Sequence, residues 1–262
     1  MSKKNNSVAE LININDKYFK SDSIEFGRIA KEFFKEFCDN YITQNQKFFS
    51  RIEKYENHLA MPCMACEDCN LSAVICAIDK ITNIHLTEFT FNMKNQNDDK
   101  KQANRRIDLW CRKETSSNPY DFFLELKNHN NCIDTPGISG ETVKRLRKLE
   151  EQVVSIKTKI RPDWGGKNIY IGLMIIHGWH NIKHEIADGV DEKSLHDLER
   201  DIISYLNGKH KAQVIFASWK VPQKVKDYIN KYRKEVTQYG YNVNYDWISI
   251  TGFVVTKEKG KK

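Results

Sequence analysis

Apolar residues along the chain recur with two different periods. Over 24–58 they return every three to five positions (Ile24, Ile29, Phe33, Phe37, Tyr41, Ile42) with no proline between them, which predicts a helix. A second helical stripe, Leu71, Val74, Ile75 and Ile78, lies within 67–83. From His85 to Met93 the chain turns rich in Thr and Phe and predicts a strand, and the polar run 94–105 predicts a loop or hairpin tip. Segments 105–114 (RRIDLWCRKE) and 120–128 (YDFFLELKN) alternate with the period of a strand. The Asn-rich stretch 128–137 has turn composition. Next comes a helix that Ser139 can cap, with Val143, Leu146, Leu149, Val153, Ile156 and Ile160 as its buried stripe, and 162–166 (PDWGG) breaks it. Ile169–Ile176 is a continuous apolar run, as in a strand buried on both faces. A helix at 192–206, a strand at 213–217, a helix opened by Pro222 and a strand at 246–256 complete the order. Helices, then three strands, then alternating helices and strands predict an α/β fold with a mixed sheet.

Two of these strands carry charge where burial calls for apolar residues. In 120–127 alternation sets Phe122, Leu124 and Leu126 against Phe123, Glu125 and Lys127. In 106–111 it sets Ile107, Leu109 and Cys111 against Arg106, Asp108 and Trp110. If the strands pair, Asp108, Glu125 and Lys127 share one sheet face. Two carboxylates supply the hard oxygens that Mg²⁺ or Mn²⁺ takes, and an amine beside them can position water or stabilise charge at phosphorus. The bland alternative is an exposed face where Glu125 and Lys127 are solvated or paired across strands. Trp110 and Phe123 on the same face argue for partial cover.

Composition narrows the setting. The chain has 262 residues with 42 Lys+Arg against 35 Asp+Glu, a formal charge of +7 that permits a nucleic-acid partner without requiring one. The longest apolar run, Ile169–Ile176, is too short to span a bilayer, and the N-terminus lacks the apolar stretch of a signal peptide. A cytoplasmic protein is therefore expected, with no membrane association. The seven cysteines then read as reduced thiols or metal ligands.

With Asp108 followed by Glu125-Leu126-Lys127, a helix before them and a Lys/Arg-rich helix after, the chain resembles the PD-(D/E)xK nuclease superfamily. The resemblance spans about 110 residues, 67–176. It implies a restriction-endonuclease-like core, a central mixed β-sheet flanked by helices, in the order helix, three-stranded meander, helix, strand. It sets 1–60 apart as an N-terminal helical extension and makes 61–262 the nuclease-like domain. It implies that Asp108 and Glu125 hold a metal, with the Leu126 backbone carbonyl as a further ligand, and that Lys127 is the catalytic lysine. Many members carry an acid on the first core helix. Glu67 is the choice here, with Glu88, Asp79 and Glu56 as rivals. The family's naming proline is absent, since Ile107 precedes Asp108. The expected activity is Mg²⁺-dependent hydrolysis of DNA, as an endonuclease in restriction or defence, and cutting both strands would favour a homodimer.

Weaker signals surround this set. Cys63, Cys66 and Cys69, with Cys76 or His58 as a fourth ligand, have spacing suited to zinc or an iron–sulfur cluster. The same spacing is one stripe of a helix, where reduced Cys packs as a small apolar residue. Lys100, Lys101, Arg105 and Arg106 adjoin Asp108, and Lys144, Arg145 and Lys148 form a helix strip. Both sets are candidates for phosphate contacts, and the strip's alternative is ordinary pairing with neighbouring glutamates. His177 and His180 close the buried strand, with structural roles expected. Two other readings remain: a catalytically inactive nucleic-acid-binding or assembly module of the same fold, and a zinc-stabilised interaction protein.

Overall fold

A computed structural model of the chain describes residues 10–17, 19, 27–50, 67–93, 103–116, 118–134, 137–159, 164–181, 190–231 and 243–258. Its elements are β1 (Glu10–Asn15), α1 (Gly27–Phe49), α2 (Glu67–Ile78), β2 (Ile84–Met93), β3 (Ala103–Lys113), β4 (Tyr120–Cys132), α3 (Gly140–Lys159), β5 (Lys167–Asn181), α4 (Val190–Lys209), β6 (His210–Lys220), α5 (Gln223–Lys231) and β7 (Val243–Glu258). The strands form one seven-stranded mixed sheet in the order β1-β6-β7-β5-β4-β3-β2. β2, β3 and β4 are an antiparallel meander. β4 and β5 pair in parallel, with α3 as the crossover that a parallel connection requires. β7 is antiparallel to both β5 and β6.

Helices cover both faces. On one, Phe33, Phe37 and Tyr41 of α1, Val74 and Ile78 of α2, and Val225 of α5 bury against Phe122, Leu124, Leu126, Leu173 and Ile248. Phe33 stacks on Phe122 at 4.0 Å between ring centroids. Each such buried aromatic contributes about 1.5–3 kcal/mol. The Tyr41 hydroxyl donates to Asn70 at 2.6 Å and ties α1 to α2. On the other face, Leu146, Leu149 and Val153 of α3 and Leu198 and Ile202 of α4 pack on Phe123, Met174, Ile176 and Phe253.

The expected mixed α/β architecture is present, and two local expectations are corrected. Within 1–60, read as a helical extension, Glu10–Asn15 is an edge strand paired to β6, and the aromatic stripe of α1 belongs to the common core. The alternation of Ile and Asn in ELININ is itself a strand pattern, and pairing with β6 realises it. Of the predicted helix 24–58, α1 covers Gly27–Phe49; residues 51–58 lie outside the described residues. The stretch read as a loop from 128 instead continues β4 to Cys132, in register with β5 as far as Trp179. Of its asparagines, Asn128 and Asn131 are buried and Asn130 is exposed. The Asn131 side chain accepts from Thr142 Oγ1 at 2.9 Å and from the Ser139 N–H at 3.3 Å, and donates to the Gly137 carbonyl. Ser139 caps α3 as expected, accepting the Thr142 N–H at 3.1 Å.

Candidate active site

The meander changes character at one level. β2 and β3 pair without a slip from Ile84↔Arg112 to Met93↔Ala103, but the pair Glu88–Asp108 is missing from the ladder. Glu88 has a φ of 53°, a left-handed conformation costly for a residue with a side chain. Strand alternation reverses there. Leu109 and Cys111 face the α1–α2 core, whereas Ile107, which alternation groups with them, lies in the α3–α4 core. The expected grouping of Ile107 with Leu109 and Cys111 is thus corrected, and the cause is the kink at Glu88.

The kink fixes the position of Asp108. Recorded pairing of β3 with β4 ends at Leu109↔Leu124. One step further, Asp108 Oδ2 accepts the Leu126 N–H at 2.7 Å. The carboxylate therefore fills the place of a main-chain acceptor and reaches toward β4. Lys127 donates its ammonium to the Leu126 carbonyl at 2.7 Å. A residue's N–H and C=O point to the same side of an extended strand, so both groups gather on the β3 edge of one peptide pair.

Glu125 is 1% exposed and Lys127 9% exposed, on the face that Phe123 shares. Across β5, Glu125 stands beside Gly172. The Phe253 ring lies over that glycine so closely that a Cβ would overlap it. A carboxylate in such surroundings is costly unless it is paired or coordinates a cation.

The remaining candidates divide. Cys63, Cys66, His58, Glu56, Lys100 and Lys101 lie outside the described residues, as do the side chains of Glu67, Cys69 and Arg105. Cys76 is a half-buried thiol on α2. Arg106 is exposed and pairs with Glu88 across the kink, and Asp79 pairs with His85 at 3.2 Å. Lys144 and Arg145 both lie against Glu141, at 3.7 and 3.5 Å, and Lys148 is exposed. Arg145 also donates to the Asn128 carbonyl at 3.3 Å. Lys144 and Arg145 are therefore paired within their own helix, with Glu141 and not with the Glu150 and Glu151 that neighbour the strip. Among the described residues, no three His, Cys, Asp or Glu side chains cluster as a metal-ligand set, and no helix is long and apolar enough to cross a membrane.

Several buried polar groups carried no functional assignment in the sequence. His177 is fully buried, 3.2 Å from Asn130, and burial followed by the charge of His129 pushes its pKa down to about 3. Burial, then Arg145, pushes His129 down to about 4, with Glu141 opposing. Asp246 lies at a bulge between β5 and β7, bonded to His180 at 2.5 Å and Lys226 at 2.6 Å. Burial raises its pKa, and the hydrogen bonds and charges of these two partners outweigh that and lower it. Arg112 holds the wholly buried Asp121 through a fork of 3.0 and 2.8 Å. Arg112 and Asp121 stand opposite in the β3–β4 register, which names the pair only once the strands are aligned.

The fold is that of an α/β protein in which Asp108 and Lys127 meet on the main chain of Leu126 where a meander strand leaves its partner. No protein-family model matches the chain, and no curated protein or solved structure does.

Proposed function

We propose that the chain is a divalent-metal-dependent nuclease of the PD-(D/E)xK type that hydrolyses DNA phosphodiester bonds, as an endonuclease in restriction or defence. The observation that carries the reading is the meeting of Asp108 and Lys127 on the main-chain N–H and C=O of Leu126, the residue that follows the buried Glu125. The order α2, β2–β3–β4, α3, β5 is also the order that the family resemblance implies.

The donor set fits Mg²⁺ or Mn²⁺. The carboxylates of Asp108 and Glu125 and the Leu126 carbonyl are hard oxygen donors of the kind these cations take. A divalent cation there supplies Lewis-acid polarisation of the phosphoryl oxygen. The Lys127 ammonium, held on the Leu126 carbonyl, is placed to orient a water or meet developing negative charge. Glu67 opens α2 and is the candidate fourth group, and a homodimer is the form suited to cutting both strands.

The test is cleavage of plasmid, linear duplex and single-stranded DNA with Mg²⁺ or Mn²⁺ and with EDTA. Lys127→Ala should lower the rate by roughly 10²–10³-fold at unchanged folding. Cleavage by Lys127→Ala at the wild-type rate overturns the assignment. The second reading, a catalytically silent nucleic-acid-binding module, is favoured by the engagement of Asp108 and Lys127 with main chain. It predicts salt-sensitive DNA binding that ignores both EDTA and these substitutions.

A further inference from the structure

Next to the candidate site, on the same sheet face, lies an aromatic cluster from which one ring, Trp164, projects into solvent. The reversal at Glu88 brings Phe89 to the face that already holds Trp110, at 6.5 Å between ring centroids. Trp164, from the segment that ends α3, lies over both. It stands 5.4 Å from Trp110 and 5.9 Å from Phe89, edge to face in each case, and 6.2 Å from Phe123. Trp164 remains 40% exposed. On the same face of the edge strand β2, Leu86, opposite Trp110, is 46% exposed. Three of the four exposed large hydrophobics among the described residues, Ile84, Leu86 and Trp164, therefore gather here.

The position of Trp164 is built. Arg112, forked onto Asp121, also donates to the Trp164 carbonyl at 3.0 Å. Gly165 takes a φ of 75°, and a Cβ on Gly166 would overlap the Asp121 carboxylate. A buried ion pair and two glycines thus hold a large indole half in solvent, where burial would be more stable. The aromatic surface and the carboxylates are adjacent. Phe123 is two residues before Glu125, and Trp110, its register partner, is two residues after Asp108. Two strand residues span about 7 Å, the scale of one nucleotide step in an extended strand.

We propose that Trp164 is a stacking platform for an unpaired nucleobase of the substrate, so that the strand engaged at Asp108 and Glu125 is single-stranded or locally opened. This rests on the nuclease reading for its location, although stacking itself needs no catalysis. The occupant follows from three features: an indole 40% exposed at the head of an aromatic cluster, the candidate site two strand residues beyond Phe123, which that indole contacts, and a chain charge of +7. Paired bases keep their faces inside the stack, and an unpaired base offers its own.

The experiment is fluorescence anisotropy with a labelled mixed-sequence oligonucleotide, single-stranded and as a blunt duplex, in EDTA so that no cleavage occurs. Wild type is expected to bind the single strand more tightly. Trp164→Ala should weaken that binding by roughly 5–150-fold, the range of one lost base stack, and leave the slope of affinity against salt unchanged because no phosphate contact is removed. Trp164→Phe should retain most of the affinity, and an abasic strand should bind wild type as weakly as the normal strand binds Trp164→Ala. Equal binding by wild type and Trp164→Ala, equal losses on duplex and single strand, or no single-strand binding by wild type overturns the proposal. So does a change of oligomeric state in Trp164→Ala, which would make the surface a contact between copies. Stacking without cleavage under Mg²⁺ would refute the nuclease reading alone, and cleavage indifferent to Trp164 would refute the stacking alone.

Discussion

Asp108 does two things in the proposed site, and paired substitutions separate them. Its Oδ2 accepts the Leu126 N–H at 2.7 Å, and its charge contributes to a cation site. Leu126 is 4% exposed, so Asp108→Ala leaves that N–H without its acceptor at a cost of about 1–3 kcal/mol. At about 2–4 °C per kcal/mol for a chain of this size, the melting temperature should fall by roughly 2–12 °C. Asp108→Asn keeps an oxygen acceptor and loses the charge. A charge-assisted bond is about twice as strong as a neutral one, so the loss should stay under roughly 1 kcal/mol. Activity should rank the variants differently, since both lack the anion and should lose about 10²-fold or more. Thermal melts and DNA cleavage on the same preparations give both readings. Millimolar Mg²⁺ should raise the wild-type melting temperature and leave Asp108→Asn unmoved, because a ligand that binds only the folded state stabilises it. Asp108→Asn with wild-type activity refutes the catalytic role. Asp108→Ala with wild-type stability refutes the structural one.

Three further outcomes are expected. Arg112→Ala strands the buried Asp121 and releases the Trp164 carbonyl, and should cost about 3–5 kcal/mol in urea unfolding; a loss below about 1 kcal/mol would mean that the fork contributes little. His177 is held neutral in the folded chain, with its pKa lowered from 6.5 to about 3, so the unfolded chain binds its proton first as pH falls. Stability from this group is full above 6.5 and is lost toward 3, at about 1.4 kcal/mol per pH unit; His177→Gln should flatten that part of the curve, and an unchanged slope would place the titration elsewhere. Elemental analysis of purified protein for Zn and Fe tests the Cys63, Cys66 and Cys69 set, where a stoichiometric metal is expected only if these thiols are ligands and its absence favours helix packing.

The sequence made the architecture legible where burial and period agree. The stripe Leu146, Leu149, Val153 predicts α3 because one face of a helix needs that spacing, and Ser139 predicts its start because the first N–H groups need an acceptor. The stretch 128–132 was illegible for the converse reason. Asparagines favour turns while the chain is considered locally, but parallel pairing with β5 satisfies their backbone and the α3 cap uses the Asn131 side chain. Tertiary pairing outweighs local preference there.

The candidate site was legible in its members and not in their arrangement, and Glu88 explains the difference. Alternation treats a strand as regular, so it assigns Asp108 a face from its number alone. A single left-handed residue on the neighbouring strand ends that regularity for both strands at once. In a regular ladder Asp108 would project from the sheet, and a main-chain carbonyl would hold the Leu126 N–H. With the ladder interrupted, the carboxylate enters the gap, and Phe89 turns to the face carrying Trp110 and Trp164. A residue with a side chain does not adopt a φ of 53° without cost, so the surrounding structure must hold it there. The kink therefore shapes the carboxylate site and the aromatic surface together. Glu88→Gly, which accepts that φ freely, should preserve both, while a β-branched residue such as Glu88→Val should disturb both at once.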